Sequence, residues 1–453
     1  FIEKIEPNFT KIDNIEIGIE FENGSMLKSI QHGVFSDSKI TTFSLPSSVT
    51  HILEGSFKNC FDLNQFIIDK ESKLEVIEKD AFSNTKIEYL YIPKDVTELK
   101  CKWCRNIRYL KRVEVSKNNK RFSSFDDDSI VVGNSIENDQ NFNILVFYGR
   151  NKKTIEIPKN IEIIGSYSLA DCCIDSIEFE NNSKLRIIEK GAFSNSSIQK
   201  IQIPSQITQI GSRAFYDCDK LLLVDIRSDS KIQIIKKKLF SNTKISTFSV
   251  PPQVTRICEE AFSYCPFLTE VIIDENSNLQ LIEKDSFLYS SIKKLIIMPE
   301  FVELEKGWCH GLQNVEEIKI NPKNKRYLTI NDGKIIIGKS NIDSNIYDFL
   351  VFSVRDINEC EIPNFIETIG PYSFNFCDNL NKITFQSDSK LKLIDKYAFA
   401  NSSIKEITIP SSVTQLNERS FSYCKHFFSL GIESNSNLKI IENRDEYKIM
   451  LHL

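Results

Sequence analysis

The chain has 453 residues, 41 % hydrophobic and 26 % charged, with 57 Lys and Arg against 62 Asp and Glu for a formal charge of −5. Such a composition suits a folded chain that buries a core. It supplies no concentrated basic face for nucleic acid or an anionic membrane surface, and no apolar stretch is long enough to span a bilayer as a helix.

From its first residues onward the chain repeats one segment. Strand-ending prolines recur at Pro46, Pro93, Pro158, Pro204, Pro251, Pro299, Pro363 and Pro410, spaced by 47, 65, 46, 47, 48, 64 and 47. Phe anchors subdivide the period: Phe35, Phe57, Phe82, then Phe193, Phe215, Phe240, Phe262, Phe287, then Phe374, Phe399, Phe421, with steps of 22 and 25. A repeat of this length means a solenoid, because one turn cannot bury its own apolar face and must stack on its neighbours. The expectation is one continuous solenoid over residues 1–453, rich in β-structure, with a parallel sheet and little regular helix.

Each turn reads in the same order. Apolar residues such as Leu221, Val224 and Ile226, or Ile404, Ile407 and Ile409, end in period-two alternation, which is a short strand with one buried face. A Pro without an N–H ends the strand. An apolar pair at spacing three, such as Val413 and Leu416, rests on the same core, and Ala-Phe then fills the interior. Six cysteines, Cys60, Cys172, Cys218, Cys265, Cys377 and Cys424, recur three residues after the anchor position. A residue at one fixed place in the turn reads as a small buried filler. Most copies sit two turns apart, too far for a disulfide.

The two long intervals match each other at an offset of 205 residues. Trp103-Cys104 answers to Trp308-Cys309, and Ile130–Gly133 to Ile335–Gly338. Ile144–Phe147 answers to Phe349–Phe352. Two apolar runs joined by a polar loop predict hairpins inserted into the solenoid at 116–152 and 321–355. A block of several turns has been copied as a unit.

Little in the sequence points to chemistry. The five histidines, His32, His51, His310, His426 and His452, are scattered and read as exposed or loop residues. No phosphate-binding glycine loop or nucleophile elbow is present. Cys101-Lys-Trp-Cys104 has the spacing of a metal or redox pair, but the copied block has Lys306 in place of Cys101 and no second pair completes a zinc set. No cofactor is expected. The acidic run Asp126-Asp127-Asp128 suggests a cation site or a solvated hairpin loop, and its counterpart Asn331-Asp332-Gly333 favours the loop. Glycosylation sequons stand at Asn8, Asn23, Asn181, Asn195 and Asn401, several in a turn where Asn and Ser also serve the backbone. The first residue is Phe, no signal peptide is visible, and Ile449–Leu453 brings no polar cap, so the sequence reads as part of a longer chain or as one with unusual terminal packing.

The segment Ile201-Gln-Ile-Pro204 through Gly211-Ser-Arg-Ala-Phe215-Tyr-Asp-Cys218-Asp-Lys-Leu221 resembles the repeat of BspA-like leucine-rich repeat proteins. The stretch Asn321–Tyr327, leading to Asp332-Gly333, resembles the insert that such proteins carry. The resemblance extends over essentially the whole chain, with Trp103, Leu169 and Trp308 where Phe is expected. It implies a non-enzymatic protein-binding module, an adhesin or antigen at the cell surface or secreted, with host or extracellular-matrix proteins as partners. An intracellular interaction scaffold in the cytoplasm is the alternative, favoured by reduced-looking cysteines. The oligomeric state is left open.

Binding by such a fold falls to the strand positions between the buried ones. Among these, Gln65, Ile67, Tyr89 and Tyr91 form an apolar and aromatic set, and Leu223, Ile272 and Ile296 a second, weaker one. Tyr is favoured at interfaces, although aromatic and β-branched residues also simply suit strands.

Overall fold

The Ile-x-Ile-Pro segments become four-residue strands because their apolar positions alternate and each stacks in register on the next turn. The computed structural model describes residues 17–21, 24–134, 141–180, 182–442 and 451–452. Asn8, Asn23, Asn181 and most of the terminal segment 449–453 lie outside the described residues. The chain forms two compact units, residues 1–225 and 226–453. Among the described residues there is no helix.

In the first unit Ile40–Leu45 pairs parallel with Gln65–Ile68, and Tyr89–Ile92 with Arg112–Val115. Thr154–Ile157 pairs in the same way with Ser176–Phe179. In the second unit Thr247–Val250, Glu270–Ile273, Lys294–Ile297 and Glu317–Ile320 form one four-stranded parallel sheet. Seven of these eight prolines close their strands with a turn in which the Pro carbonyl accepts the N–H three residues on, as Pro204 does from Ile207 at 3.1 Å and Pro410 from Val413 at 3.1 Å, while at Pro299 the turn lies one residue earlier, Met298 O accepting from Phe301 at 3.2 Å.

The apolar pair at spacing three does more than rest on the core. Its second half is a two-residue strand, and these build another parallel ladder. In the first unit the ladder is Ser29–Ile30, His51–Ile52, Val76–Ile77 and Glu98–Leu99; in the second, Ile234–Ile235, Arg256–Ile257, Leu281–Ile282 and Glu303–Leu304. A third row of backbone bonds joins the Ala-Phe segments: Phe57 N–H to Ala81 O at 2.8 Å, Phe193 to Ala214 at 2.8 Å, Phe399 to Ser420 at 2.8 Å. Left-handed residues turn the chain there, among them Asn59, Asn84, Asn195 and Asn401 near φ +60°, where Asn is the side chain most easily accommodated.

The Phe anchors stack as the period requires. Phe35 lies 5.1 Å from Phe57, Phe193 5.0 Å from Phe215, and Phe399 5.1 Å and 5.2 Å from Phe374 and Phe421, with the last two pairs within 3° of parallel. Each buried ring contributes ~1.5–3 kcal/mol of transfer free energy. The recurring cysteines fill the space beside them. The thiols of Cys60, Cys218, Cys265 and Cys424 donate to the carbonyls of Phe35, Phe193, Phe240 and Phe399 at 2.9, 3.0, 3.1 and 3.0 Å. Cys172 and Cys377 depart from this role, for each lies beside a buried arginine.

The inserts are three-stranded, one strand more than the sequence predicts. Phe122–Phe125, Ile130–Gly133 and Ile144–Tyr148 run antiparallel in the first unit, and Tyr327–Ile330, Ile335–Gly338 and Phe349–Ser353 in the second. The last strand of each then pairs parallel with the next short rung, Ile163–Ile164 or Thr368–Ile369. The acidic run is the tight turn of this hairpin: Asp126, Asp127 and Asp128 are all left-handed, as are Asn331, Asp332 and Gly333. Asn119 pins the insert, donating to Pro93 O and Val96 O at 2.8 and 2.9 Å while accepting the N–H groups of Arg121 and Phe122 at 2.8 Å. Asn324 repeats the arrangement on Met298 and Phe301.

Candidate functional site

The pleat turns every second residue of the long strands outward. On Gln65–Ile68 this exposes Gln65 and Ile67, and Ile67 is 50 % exposed. Its register partner Ser44 is small and leaves the isoleucine standing proud. The second unit repeats the feature, with Ile272 45 % exposed beside Ser249. Ile296, on the adjoining strand, is half-buried. Beside it Glu317 pairs with Lys294 at 3.3 Å and Lys319 at 2.9 Å, so that edge of the sheet is charged. Leu223 and its neighbour Leu222 are both exposed, near the end of the first unit and on a different sheet from Ile67.

Tyr89 is 42 % exposed and its hydroxyl donates to Glu114 Oε2 at 2.5 Å. Partial burial first, and the Glu114 carboxylate second, hold its phenol above the ordinary range, so it remains a donor. Arg112 alongside donates to Asp127 O at 3.0 Å and pairs with Asp128 at 3.3 Å. Tyr91 does not belong to the exposed set. It is only 8 % exposed and packs in the hydrophobic core cluster of the first unit. Its place on the pleat is outward, but Glu114 flanks it in register on the next strand. A large ring between neighbouring rungs only ~4.8 Å away is covered by them. The first unit therefore brings together Gln65, Ile67 and Tyr89, the second Ile272 and Ile296.

Two features were not anticipated. In the second unit an aromatic row runs along the turns: Tyr264 to Tyr289 at 5.4 Å, Tyr289 to His310 at 6.2 Å, His310 to Tyr372 at 4.4 Å and Tyr372 to Tyr397 at 5.1 Å. His310 is thus half-buried and stacked, with Nδ1 2.8 Å from Asp285. The signal was present, since these tyrosines stand two residues after or before a Phe anchor.

The second feature is a buried arginine behind each insert. Arg150, 2 % exposed, donates to Ser168 O at 2.9 Å, Tyr148 O at 3.1 Å and Cys104 O at 3.3 Å, and lies 5.0 Å over Phe147. Arg355 does the same with Leu312 O at 2.7 Å, Ser373 O at 3.0 Å and Tyr372 O at 3.4 Å, over Phe352 at 4.3 Å. Each ties the turn before the insert to the turn after it. Burial outweighs the nearby guanidinium and pushes the Cys104 thiol up to about 11 and the Cys309 thiol up to about 12. These thiols stay neutral, a poor state for a nucleophile or metal ligand. Cys101, the other half of the C-x-x-C, is exposed while Cys104 is buried.

Stacked parallel strands, an internal Phe ladder and an open outer strand face define a repeat solenoid of the leucine-rich class. The description "BspA type Leucine rich repeat region (6 copies)" matches residues 6–125, 140–269, 233–332 and 344–445, and the chain belongs to that family. Solved structures share the fold. A leucine-rich repeat protein from Eubacterium ventriosum is 19 % identical over 68 % of this chain and 84 % of its own, with a TM-score of 0.54. The pneumococcal vaccine antigen PcpA is 16 % identical over 73 % of this chain and 87 % of its own, at 0.50. A leucine-rich cell surface protein from Faecalibacterium prausnitzii is 20 % identical over 69 % and 95 %, at 0.45. No curated protein matches the chain.

Proposed function

We propose that the chain is a non-enzymatic protein-binding module, displayed at the cell surface or secreted, that acts as an adhesin or antigen toward a host or extracellular-matrix protein. The observation that carries the reading is the pair Ile67 and Ile272, half exposed at the same register of each unit. An apolar side chain held out from a rigid sheet is the form of a binding anchor. Tyr89 extends the first anchor, and Gln65, Ile296 and Leu223 complete the candidate set. Membership of the repeat family supports a binding role, and PcpA, which shares the fold, is a pneumococcal vaccine antigen.

The test is surface labelling of intact cells, followed by titration of immobilised matrix proteins with the wild type and with Ile67→Glu and Ile272→Glu. The expected result is labelled chain and at least ~10-fold weaker binding, the loss of one buried apolar anchor. Exclusively cytosolic chain, or unchanged affinity in both variants, overturns the reading. One observation favours the intracellular scaffold instead: all twelve cysteines are free thiols, with Cys101 and Cys173 exposed, as in a reducing compartment. Cytosolic chain bound to an endogenous partner through the same face would establish that second reading.

A further inference from the structure

Along the row of Ala-Phe turns of the first unit a cavity of about 310 Å³ opens. Three arginines line it, Arg105 and Arg108 from before the insert and Arg213 from beyond it. Arg108 is exposed and the other two are half-buried, so solvent reaches all three. Arg105 and Arg213 converge on one phenol. Arg105 lies 5.9 Å over the Tyr167 ring. Burial pushes the Tyr167 phenol up, and the charges of both arginines pull it back down. Arg213 lies 5.9 Å over Tyr216. Among the described residues neither the Arg108 nor the Arg213 guanidinium has a hydrogen bond or an ion pair.

The second unit shows the same place closed. Arg419 stands where the first unit has Arg213, and its Nη1 donates to the Tyr397 hydroxyl at 2.9 Å. Tyr397 lies flat on Tyr372, 5.1 Å away. The first unit has Gly191 in place of Tyr397, and a Cβ there would meet the Tyr167 ring at 2.4 Å. It also has Arg105 for His310 and Arg108 for Gln313. The first unit has therefore gained two cations and lacks the phenol that would occupy a third.

Two carboxylates also line the cavity, Asp171 and Asp217. Asp171 is 6 % exposed, and its oxygens accept the Asn106 N–H at 2.7 Å and Asn195 Nδ2 at 2.6 Å. Three guanidiniums against two carboxylates leave one net positive charge. A singly charged oxyanion matches it, and a dianion exceeds it.

We infer that this cavity binds one singly charged sugar residue of an acidic glycan, bearing a sulfate ester or a carboxylate. The guanidinium forks of Arg108 and Arg213 hold the oxyanion. Ser194 and Asn195 offer a hydroxyl and an amide to the sugar hydroxyls. The lining favours a sugar over an apolar peptide side chain, because apart from Ala170 and the two tyrosines every residue in it is polar or charged. Its volume lies at the small end of ligand sites and suits one residue. The site is separate from the outward strand positions and does not depend on them.

The experiment titrates the full chain with glucose 6-sulfate and methyl glucuronide, read by saturation-transfer difference NMR and calorimetry. Methyl glucoside supplies the sugar without the charge, inorganic sulfate the charge without the sugar, and glucose 6-phosphate a second negative charge. The expected result is binding of one or both singly charged sugars, weakened by salt, with the other three at least ~10-fold weaker. The tighter of the two names the sulfate ester or the carboxylate as the group recognised. Arg108→Gln and Arg213→Gln each remove one guanidinium and should weaken binding at least ~10-fold with an unchanged circular dichroism spectrum. If Arg213→Gln fails to fold, Arg108→Gln, at an exposed residue, decides. No binding of either sugar overturns the proposal. So does equal binding of the uncharged sugar, of inorganic sulfate or of the phosphate, or full binding by the folded variants.

Discussion

Replacing Arg150 by Met tests how the insert is held. The methionine keeps much of the apolar stem and removes the donors. Ser168 O retains a partner, because it also accepts the Tyr148 N–H at 3.2 Å. Tyr148 O and Cys104 O lose their guanidinium bonds of 3.1 and 3.3 Å. Two buried carbonyls left without a strong donor cost ~1–3 kcal/mol each, and the lost stacking on Phe147 adds ~1–2 kcal/mol. Release of the buried charge from its dehydration offsets part of this, which leaves a net loss of ~2–4 kcal/mol. The chain has two tryptophans. Trp103 is buried 6.1 Å from Phe147 and reports the first unit, so the measurement is made in a Trp308→Phe background. Urea unfolding followed by Trp103 fluorescence should shift its midpoint down by ~1–2 M, given a slope of ~2 kcal/mol/M. Arg355→Met in a Trp103→Phe background should do the same to the second unit. A loss below ~1 kcal/mol, or a gain, would mean that dehydration of the guanidinium outweighs its bonds, and the stitching argument would fail.

Three further outcomes follow from the geometry. Burial raises the thiols of Cys60 and Cys265 to about 11 and of Cys218 to about 12, from an ordinary 9.0. The folded chain therefore holds these protons more tightly than the unfolded one, so stability is full below pH 9 and falls as pH rises toward 11; a urea midpoint that stays flat from pH 8.5 to 11 contradicts this, and Cys218→Val should flatten part of the slope. Phe399→Ala removes a ring stacked on both sides and should cost ~3–5 kcal/mol by urea unfolding, with a cost under ~1 kcal/mol showing that the anchors are not the core. Tyr91→Ala should destabilise by ~2–4 kcal/mol as a buried ring, whereas Tyr89→Ala should cost under ~1 kcal/mol and weaken partner binding; the reverse order in thermal melts would return Tyr91 to the exposed face.

The repeat was legible because burial imposes it turn after turn. Phe399, Ala398 and Ile407 each answer to a fixed place on one core, so their spacing carries the fold. The Gln415–Leu416 rung was legible only as an apolar pair, since two residues are too few to show period-two alternation. The strand Phe122–Phe125 was hidden for another reason: it alternates weakly, and the left-handed Asp126–Asp128 turn that pairs it with Ile130–Gly133 reads as an acidic cluster. Arg150 and Arg355 were illegible, because a lone arginine beside an apolar run looks like an exposed one until the turns on either side close over it. Tyr91 failed for the converse reason. Its alternation was read correctly, yet whether an outward residue is exposed depends on the neighbouring rungs.

The duplication offers a way to separate scaffold from binding within one chain. Where both units keep a residue, the fold accounts for it: Asn119 and Asn324 satisfy the same kinds of backbone groups, and Arg150 and Arg355 join the same two turns. Ile67 and Ile272 are also kept, yet both are half exposed and make no comparable internal contribution. A β-branched residue suits a strand, but about half of each isoleucine stays in water, so a polar residue there would forfeit only part of a burial energy. Phe122 and Tyr327 show the opposite case, a position where the units differ and one loses a satisfied hydrogen bond. A lost bond beside an unmet Asn134 acceptor is a cost to folding that the first unit bears alone. Ile67 and Ile272 are therefore the positions where a change in affinity can be separated from a change in stability.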